Sequence, residues 1–237
     1  LIRPYRNITI VIPAHEQSKR LPGKVLLDKT GKTLLQHTYE AARQSKLATR
    51  VLIAAGSDAV AIAAMEFRAP HVLVAGDYPN GTRRVIAAVA KLLHPPDIVV
   101  NLQADEPEIT GEALDALIRR AMMLPRLGIA TLVCPLAAGV YDEPDTVKVA
   151  VGSTDWAMYF SRAPIAGAMQ HVGAYVFRPD ALKAIRRMSD SRLAQAEDLE
   201  QLQWLDHGLQ IAVERIDDCL RSINILRDYE RFCSKAQ

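Results

Sequence analysis

Cysteine is scarce in this chain: Cys134, Cys219 and Cys233 are the only three, and none stands in a C-x-x-C pair. An odd count without that spacing suggests neither a disulfide framework nor a thiolate zinc site, so the thiols read as buried or incidental in a reducing cytoplasm. No apolar run approaches the roughly 20 residues that cross a bilayer. The opening LIRPYRNITI has no apolar stretch ending in a small-residue cleavage site, so the reading is a soluble cytoplasmic protein with no membrane partner. Excess charge is also missing. Against 29 Lys and Arg stand 27 Asp and Glu, and the net +2 gives no general reason to expect nucleic acid as a partner. Anion recognition must therefore be local. No Gly/Ser linker, low-complexity tract or internal repeat divides the 237 residues, so one domain over 1–237 is expected. His37, His71, His94 and His207 lack metal-ligand spacing and read as surface or core residues. Trp156 and Trp204 read as packing residues, and Met122 and Met123 as core filling in a helix.

What is present is an alternation. Short runs rich in Val and Ile at Ile8–Pro13, Arg50–Ala55, His71–Val74, Ile98–Leu102 and Ile129–Pro135 alternate with segments of helical period at Leu34–Ser45, Ser57–Arg68, Thr82–Leu93 and Thr110–Leu124. That rhythm predicts an α/β fold, a mostly parallel mixed sheet flanked by helices. Ser57 and Thr110 are suited to cap their helices. After Pro135 the rhythm changes to closely spaced strands at Val147–Val151, Met158–Phe160 and His171–Phe177. Helices at Pro179–Met188 and Glu197–His207, a strand at Gln210–Arg215 and a last helix from Leu226 follow. The halves are thus about 1–135 and about 136–237.

Open α/β sheets bind ligands beyond the carboxyl ends of their strands. SKRLPGK (18–24) follows the first strand and QADEP (103–107) follows IVVNL, so both belong to that edge. In the first loop Gly23 permits close backbone approach to an anion, Pro22 stiffens the turn, and Arg20 and Lys24 supply charge. The loop is not a Walker A, which reads G-x-x-x-x-G-K-[ST] and runs directly into a helix. In the second, Asp105 and Glu106 suit Mg²⁺, which is usually held by one or two carboxylates plus substrate phosphates; a helix-capping turn is the plainer alternative.

Six stretches, in order, resemble the 3-deoxy-manno-octulosonate cytidylyltransferases: IPA with S-x-RLPGK, NLQADEP, PDTVKV, YFSRAPI, HVGAYVF and AEDLEQLQWL. The resemblance spans almost the whole chain. It implies a nucleotide-diphospho-sugar transferase type of fold, a homodimer, and Mg²⁺-dependent transfer of CMP from CTP to an eight-carbon acidic sugar with release of pyrophosphate. Carried over, Arg20 and Lys24 would contact the triphosphate and Asp105 would hold Mg²⁺. Pro13, Ala14, His15, Gly23, Asn80, Gly81, Thr82, Arg84, Gln103, Ala104 and Pro107 would form the nucleotide pocket. Ser161, Arg162, His171, Tyr175, Glu197 and Gln201 would line the sugar site, with Arg162 suited to a carboxylate.

Several positions depart from the family pattern. His15 stands for an arginine, Asn80 for a serine, Arg83 for an acid, Ala104 for a glycine, and Asn224 for a metal-binding aspartate. The stretch between Arg162 and His171 is also shorter. A diverged member is the economical reading, and a catalytically weak nucleotide-binding or regulatory protein is the alternative. A Mg²⁺-dependent glycosyltransferase fits less well, because QADEP supplies no D-x-D.

Overall fold

The computed structural model describes residues 5–136, 139–218 and 220–236; Cys219 lies outside them. The chain forms two compact units, one of Leu1–Asp115 with Arg221–Gln237 and one of Ala116–Leu220.

In the first unit β1 (Ile8–Ala14), β2 (Arg50–Ala55), β3 (His71–Leu73) and β4 (Ile98–Leu102) run parallel in the order β3-β2-β1-β4. Every residue of β1 and β4 is buried, so their sequences are near-continuous apolar runs, interrupted only by the buried Thr9 and Asn101, as parallel strands covered on both faces require. The connecting helices are α1 (Leu34–Ala42), α2 (Asp58–Glu66) and α3 (Gly81–Ala90). The side chains of Thr33, Ser57 and Asn80 accept from the backbone N–H of Gln36, Val60 and Arg83, satisfying donors that each first turn leaves unpaired. α4 (Gly111–Met122) carries the chain into the second unit, and Thr110 caps it by accepting from Ala113 N–H at 3.1 Å.

In the second unit β5 (Ile129–Cys134) pairs antiparallel with β8 (Met169–Phe177) and parallel with β9 (Ile211–Arg215), and β6 (Lys148–Val151) pairs antiparallel with β7 (Ala157–Ser161) and β8. The helices here are α5 (Pro179–Ile185), α6 (Arg192–Glu197) and α7 (Glu200–Asp206). The fully buried Trp204 meets Tyr175 and Phe177 edge-on, with centroids 5.1 and 5.3 Å away. Trp156 is half-buried and bridges to Ala212 through its backbone.

Two expectations need correction. The helix predicted over Glu197–His207 is broken: Asp198 takes φ +53°, ending α6 in the left-handed conformation, and α7 starts afresh at Glu200. Met123 is not core, since it lies just past α4 and is 78% exposed.

The segment from Arg221 returns to the first unit and ends in α8 (Leu226–Ala236). Tyr229, Phe232 and Cys233 of α8 pack with Leu34 and Ile223.

Candidate active site

β1 and β4 are parallel neighbours, with Val11 opposite Asn101, so Pro13 and Ala14 at the end of β1, and His15 just beyond it, reach the edge where Gln103, Ala104 and Asp105 leave the sheet. Gly23 adopts φ +68°, a conformation that a side chain would strain, and its N–H donates to the Glu16 carbonyl at 2.9 Å. This reversal feeds a short 3-10 turn at Lys24–Leu26. The Lys24 ammonium pairs with the Asp105 carboxylate and donates to the Ile223 carbonyl at 3.1 Å. Ile223 N–H in turn donates to the Asp105 carbonyl at 2.9 Å. On the next residue, Asn224 Oδ1 accepts from Arg20 Nη2 at 2.9 Å. Arg20, Lys24, Asp105 and Asn224, from three separated segments, thus form one charged cluster.

The second acid of QADEP has a different task. Glu106 is buried and accepts from the Ser222 hydroxyl, while the Glu108 carboxylate accepts from Arg221 N–H at 3.3 Å. These bonds tie the returning segment to the loop after β4. Asp228 completes the strap by accepting from the N–H groups of Asn224 and Ile225, both at 3.1 Å.

The stretch before and through α3 divides by burial. Thr82 is fully buried and accepts from Asn101 Nδ2 at 2.9 Å. Arg84 is also buried: it donates to the carbonyls of Val74 at 2.6 Å and Gly76 at 3.4 Å, and lies over the Tyr78 ring at 5.0 Å. Both residues hold the stretch in place. Asn80 and Gly81 keep partial solvent access. A Cβ on Gly81 would stand 2.9 Å from Gln103 Nε2, so the missing side chain is what lets the Gln103 amide lie there. Ala104 and Pro107 are buried, and the Ala104 carbonyl accepts from the Thr38 hydroxyl at 2.9 Å. Surrounding protein, then the charges of Arg84 and Lys24, hold the His15 imidazole below its usual pKa, with Asp105 opposing. His15 is therefore mainly neutral at pH 7.

The residues carried over to a sugar site all fall in the second unit. Glu197 accepts from the Ser161 hydroxyl at 2.8 Å and from Arg162 N–H at 2.9 Å. The Arg162 guanidinium is spread over three backbone carbonyls, those of Glu197 (3.0 Å), Pro144 (3.1 Å) and Asp198 (3.3 Å). These bonds also satisfy the carbonyls exposed where α6 breaks. Lys148, missed by sequence reasoning, is fully buried and donates to the carbonyls of Glu143 and Arg162 at 2.5 and 3.0 Å. Burial lowers its ammonium pKa, with Asp142 and Glu143 opposing. Gln201 donates to the Tyr175 hydroxyl, and the Tyr175 ring lies 5.2 Å from that of His171. His171 contacts the Thr131 hydroxyl at 2.9 Å. Thr131 too was invisible in the sequence, because a threonine in an apolar strand carries no signal of its partner.

A family model described as Cytidylyltransferase matches residues 9–216. The 3-deoxy-manno-octulosonate cytidylyltransferase of Anaeromyxobacter dehalogenans is 40% identical over 217 residues, 88% of each chain. That of Escherichia coli is 38% identical over 210 residues, 85% of each. Among solved structures, CMP:2-keto-3-deoxy-manno-octonic acid synthetase complexed with CTP superimposes with TM-score 0.89 at 34% identity, covering 97% of this chain and 98% of that one. The fold is accordingly α/β of the nucleotide-diphospho-sugar transferase type. With a family match over residues 9–216 and relatives at this identity, the chain belongs to the cytidylyltransferase family.

Proposed function

We propose that this enzyme transfers CMP from CTP to 3-deoxy-manno-octulosonate and releases pyrophosphate, in the cytoplasm and as a homodimer, for lipopolysaccharide or another surface glycan. The observation that carries the reading is the Arg20, Lys24, Asp105 and Asn224 cluster beyond β1 and β4. In the reaction the sugar's anomeric hydroxyl attacks the α-phosphorus. The bond from that phosphorus to the bridging oxygen breaks, pyrophosphate leaves with the electron pair, and the hydroxyl proton passes to solvent. No protein nucleophile is needed. Arg20 and Lys24 are fixed cations suited to the triphosphate, and their charge favours the transition state, in which negative charge grows on the departing pyrophosphate.

Asp105 and Asn224 fit Mg²⁺. Both offer oxygen, the donor this hard cation prefers, and the Ile223 N–H bond keeps their segments together. Among the described residues no group of three His, Cys, Asp or Glu could hold a metal, so triphosphate oxygens and water would complete the shell. When bound, Mg²⁺ offsets charge on the triphosphate and orients it. Arg20 donates to the Asn224 side-chain oxygen and Lys24 pairs with the Asp105 carboxylate, so both oxygen donors are held in place.

The test is pyrophosphate release by the purified protein with Mg²⁺, screening the four nucleoside triphosphates against 3-deoxy-manno-octulosonate, sialic acid and related acidic sugars. Release with CTP and 3-deoxy-manno-octulosonate is expected. Silence in every pairing, from a folded sample that still binds CTP, overturns the reading. Light scattering checks the dimer.

A further inference from the structure

The two hydrogen-bond contacts of the Thr131 hydroxyl bear on which ring nitrogen of His171 carries the proton. In the pairing of β5 with β8, Thr131 is opposite Tyr175 but Leu132 is opposite Val172, so Gly173 and Ala174 are extra residues in β8. At this bulge the Ala174 carbonyl accepts from the Thr131 hydroxyl at 2.8 Å. A carbonyl cannot donate, and a threonine hydroxyl has one proton, so that proton is committed. Toward His171 Nε2, 2.9 Å away, Thr131 can only accept. The ring must therefore be the Nε2–H tautomer, which leaves a lone pair on Nδ1.

The surroundings agree. The ring packs against Phe160 and Tyr175, with centroids 5.5 and 5.2 Å away. No charged group is among the influences on its titration, and burial alone pushes its pKa down to about 3, so it is neutral at working pH. Nδ1 has no hydrogen-bond partner among the described residues. Gln201 Oε1, on the residue that donates to Tyr175, is a buried acceptor that also lacks one. An imidazole nitrogen and an amide oxygen without protein partners, in one aromatic cluster, leave two acceptors for a ligand's donors. A sugar hydroxyl donates, whereas an ionised carboxylate only accepts.

We propose that Thr131 is a positioning residue that locks His171 in the Nε2–H tautomer, so that His171 Nδ1 accepts from a hydroxyl of the acidic sugar and not from its carboxylate. This rests on the sugar-acid reading given above.

The experiment is two-bond ¹H–¹⁵N correlation on protein labelled at histidine nitrogen, together with kinetics of Thr131→Val and Thr131→Ser. In the wild type His171 should show a pyrrole-type Nε2 and a pyridine-type Nδ1. Thr131→Val should blur that assignment and raise KM for 3-deoxy-manno-octulosonate about tenfold, with kcat and KM for CTP within about twofold. Thr131→Ser should restore both readouts. A wild-type ring protonated on Nδ1 overturns the proposal without any variant, which keeps it testable if Thr131→Val fails to fold. So does a folded Thr131→Val with an unchanged tautomer and unchanged KM. If the protein proves inactive on every sugar acid, the substrate reading fails in the pyrophosphate screen, while the spectrum still decides whether Thr131 sets the ring.

Discussion

Arg20 Nη2 donates to Asn224 Oδ1 at 2.9 Å, joining positions 204 residues apart. The family pattern has aspartate where this chain has Asn224. An aspartate there would carry a full negative charge beside Arg20 and, on the proposed reading, would strengthen the hold on Mg²⁺. Asn224→Asp is expected to lower the Mg²⁺ concentration needed for half-maximal pyrophosphate release, by about tenfold. A metal titration measures it, and an unchanged midpoint would remove position 224 from the ligand set.

Lys24 is the cation nearest the carboxylate of Asp105, and both side chains are at least four-fifths buried. Lys24→Met leaves that carboxylate without its ammonium partner. The expected loss in kcat is about 10²- to 10³-fold, as for removal of one transition-state donor. Stability should also fall, by up to about 3 kcal/mol, because an unpaired carboxylate stays partly out of water. Steady-state kinetics and a urea melt separate the two effects. Asp105→Asn in the Lys24→Met background should recover stability without activity.

Gly81 offers a cleaner separation of binding from folding. It opens α3 at an ordinary backbone angle, so alanine there is not strained. The new methyl would meet the Gln103 amide at 2.9 Å and Pro13 Cγ at 3.2 Å, and the flexible Gln103 side chain must yield. Gly81→Ala should therefore leave the melting temperature unchanged or slightly raised, since alanine favours helix over glycine. KM for CTP should rise severalfold. Equal loss of both quantities would show that Gln103 is structural and does not serve the nucleotide.

The buried His171 makes stability depend on pH in a definite direction. Its native pKa is lowered to about 3 from a normal value near 6.5, so between those values only the unfolded chain takes up the proton. Stability from this site is present above about pH 6.5 and is lost as pH falls toward 3. Melting of the wild type against His171→Gln should show a stability difference that shrinks between pH 7 and pH 5. A difference independent of pH would mean that the imidazole is not held neutral.

Much of this is legible in the sequence. ITIVIPA and IVVNL read as buried parallel strands because both faces are covered, and the loops after them had to share one edge. Ser57 and Thr110 announced their helices through capping chemistry. The split of Glu197–His207 was hidden, because it depends on Asp198 taking a left-handed angle while Arg162, 36 positions away, collects its carbonyl. The strap formed by Ser222, Ile223 and Asp228 was equally hidden, since pairing at long sequence separation leaves no periodicity. Thr131 and Lys148 sat in apolar strands where nothing local distinguishes a partnered polar side chain from an incidental one.

The discontinuity of the first unit bears on how the protein is made. Leu1–Asp115 leaves the ribosome well before Arg221–Gln237, with Ala116–Leu220 synthesised in between. At roughly 5–20 residues per second that interval lasts about 5–20 s. Throughout it Lys24 and Asp105 exist without the Ile223 carbonyl and N–H, and Arg20 without Asn224. A nascent chain can thus form the parallel strands early yet assemble the Arg20, Lys24, Asp105 and Asn224 cluster only when the late segment threads back.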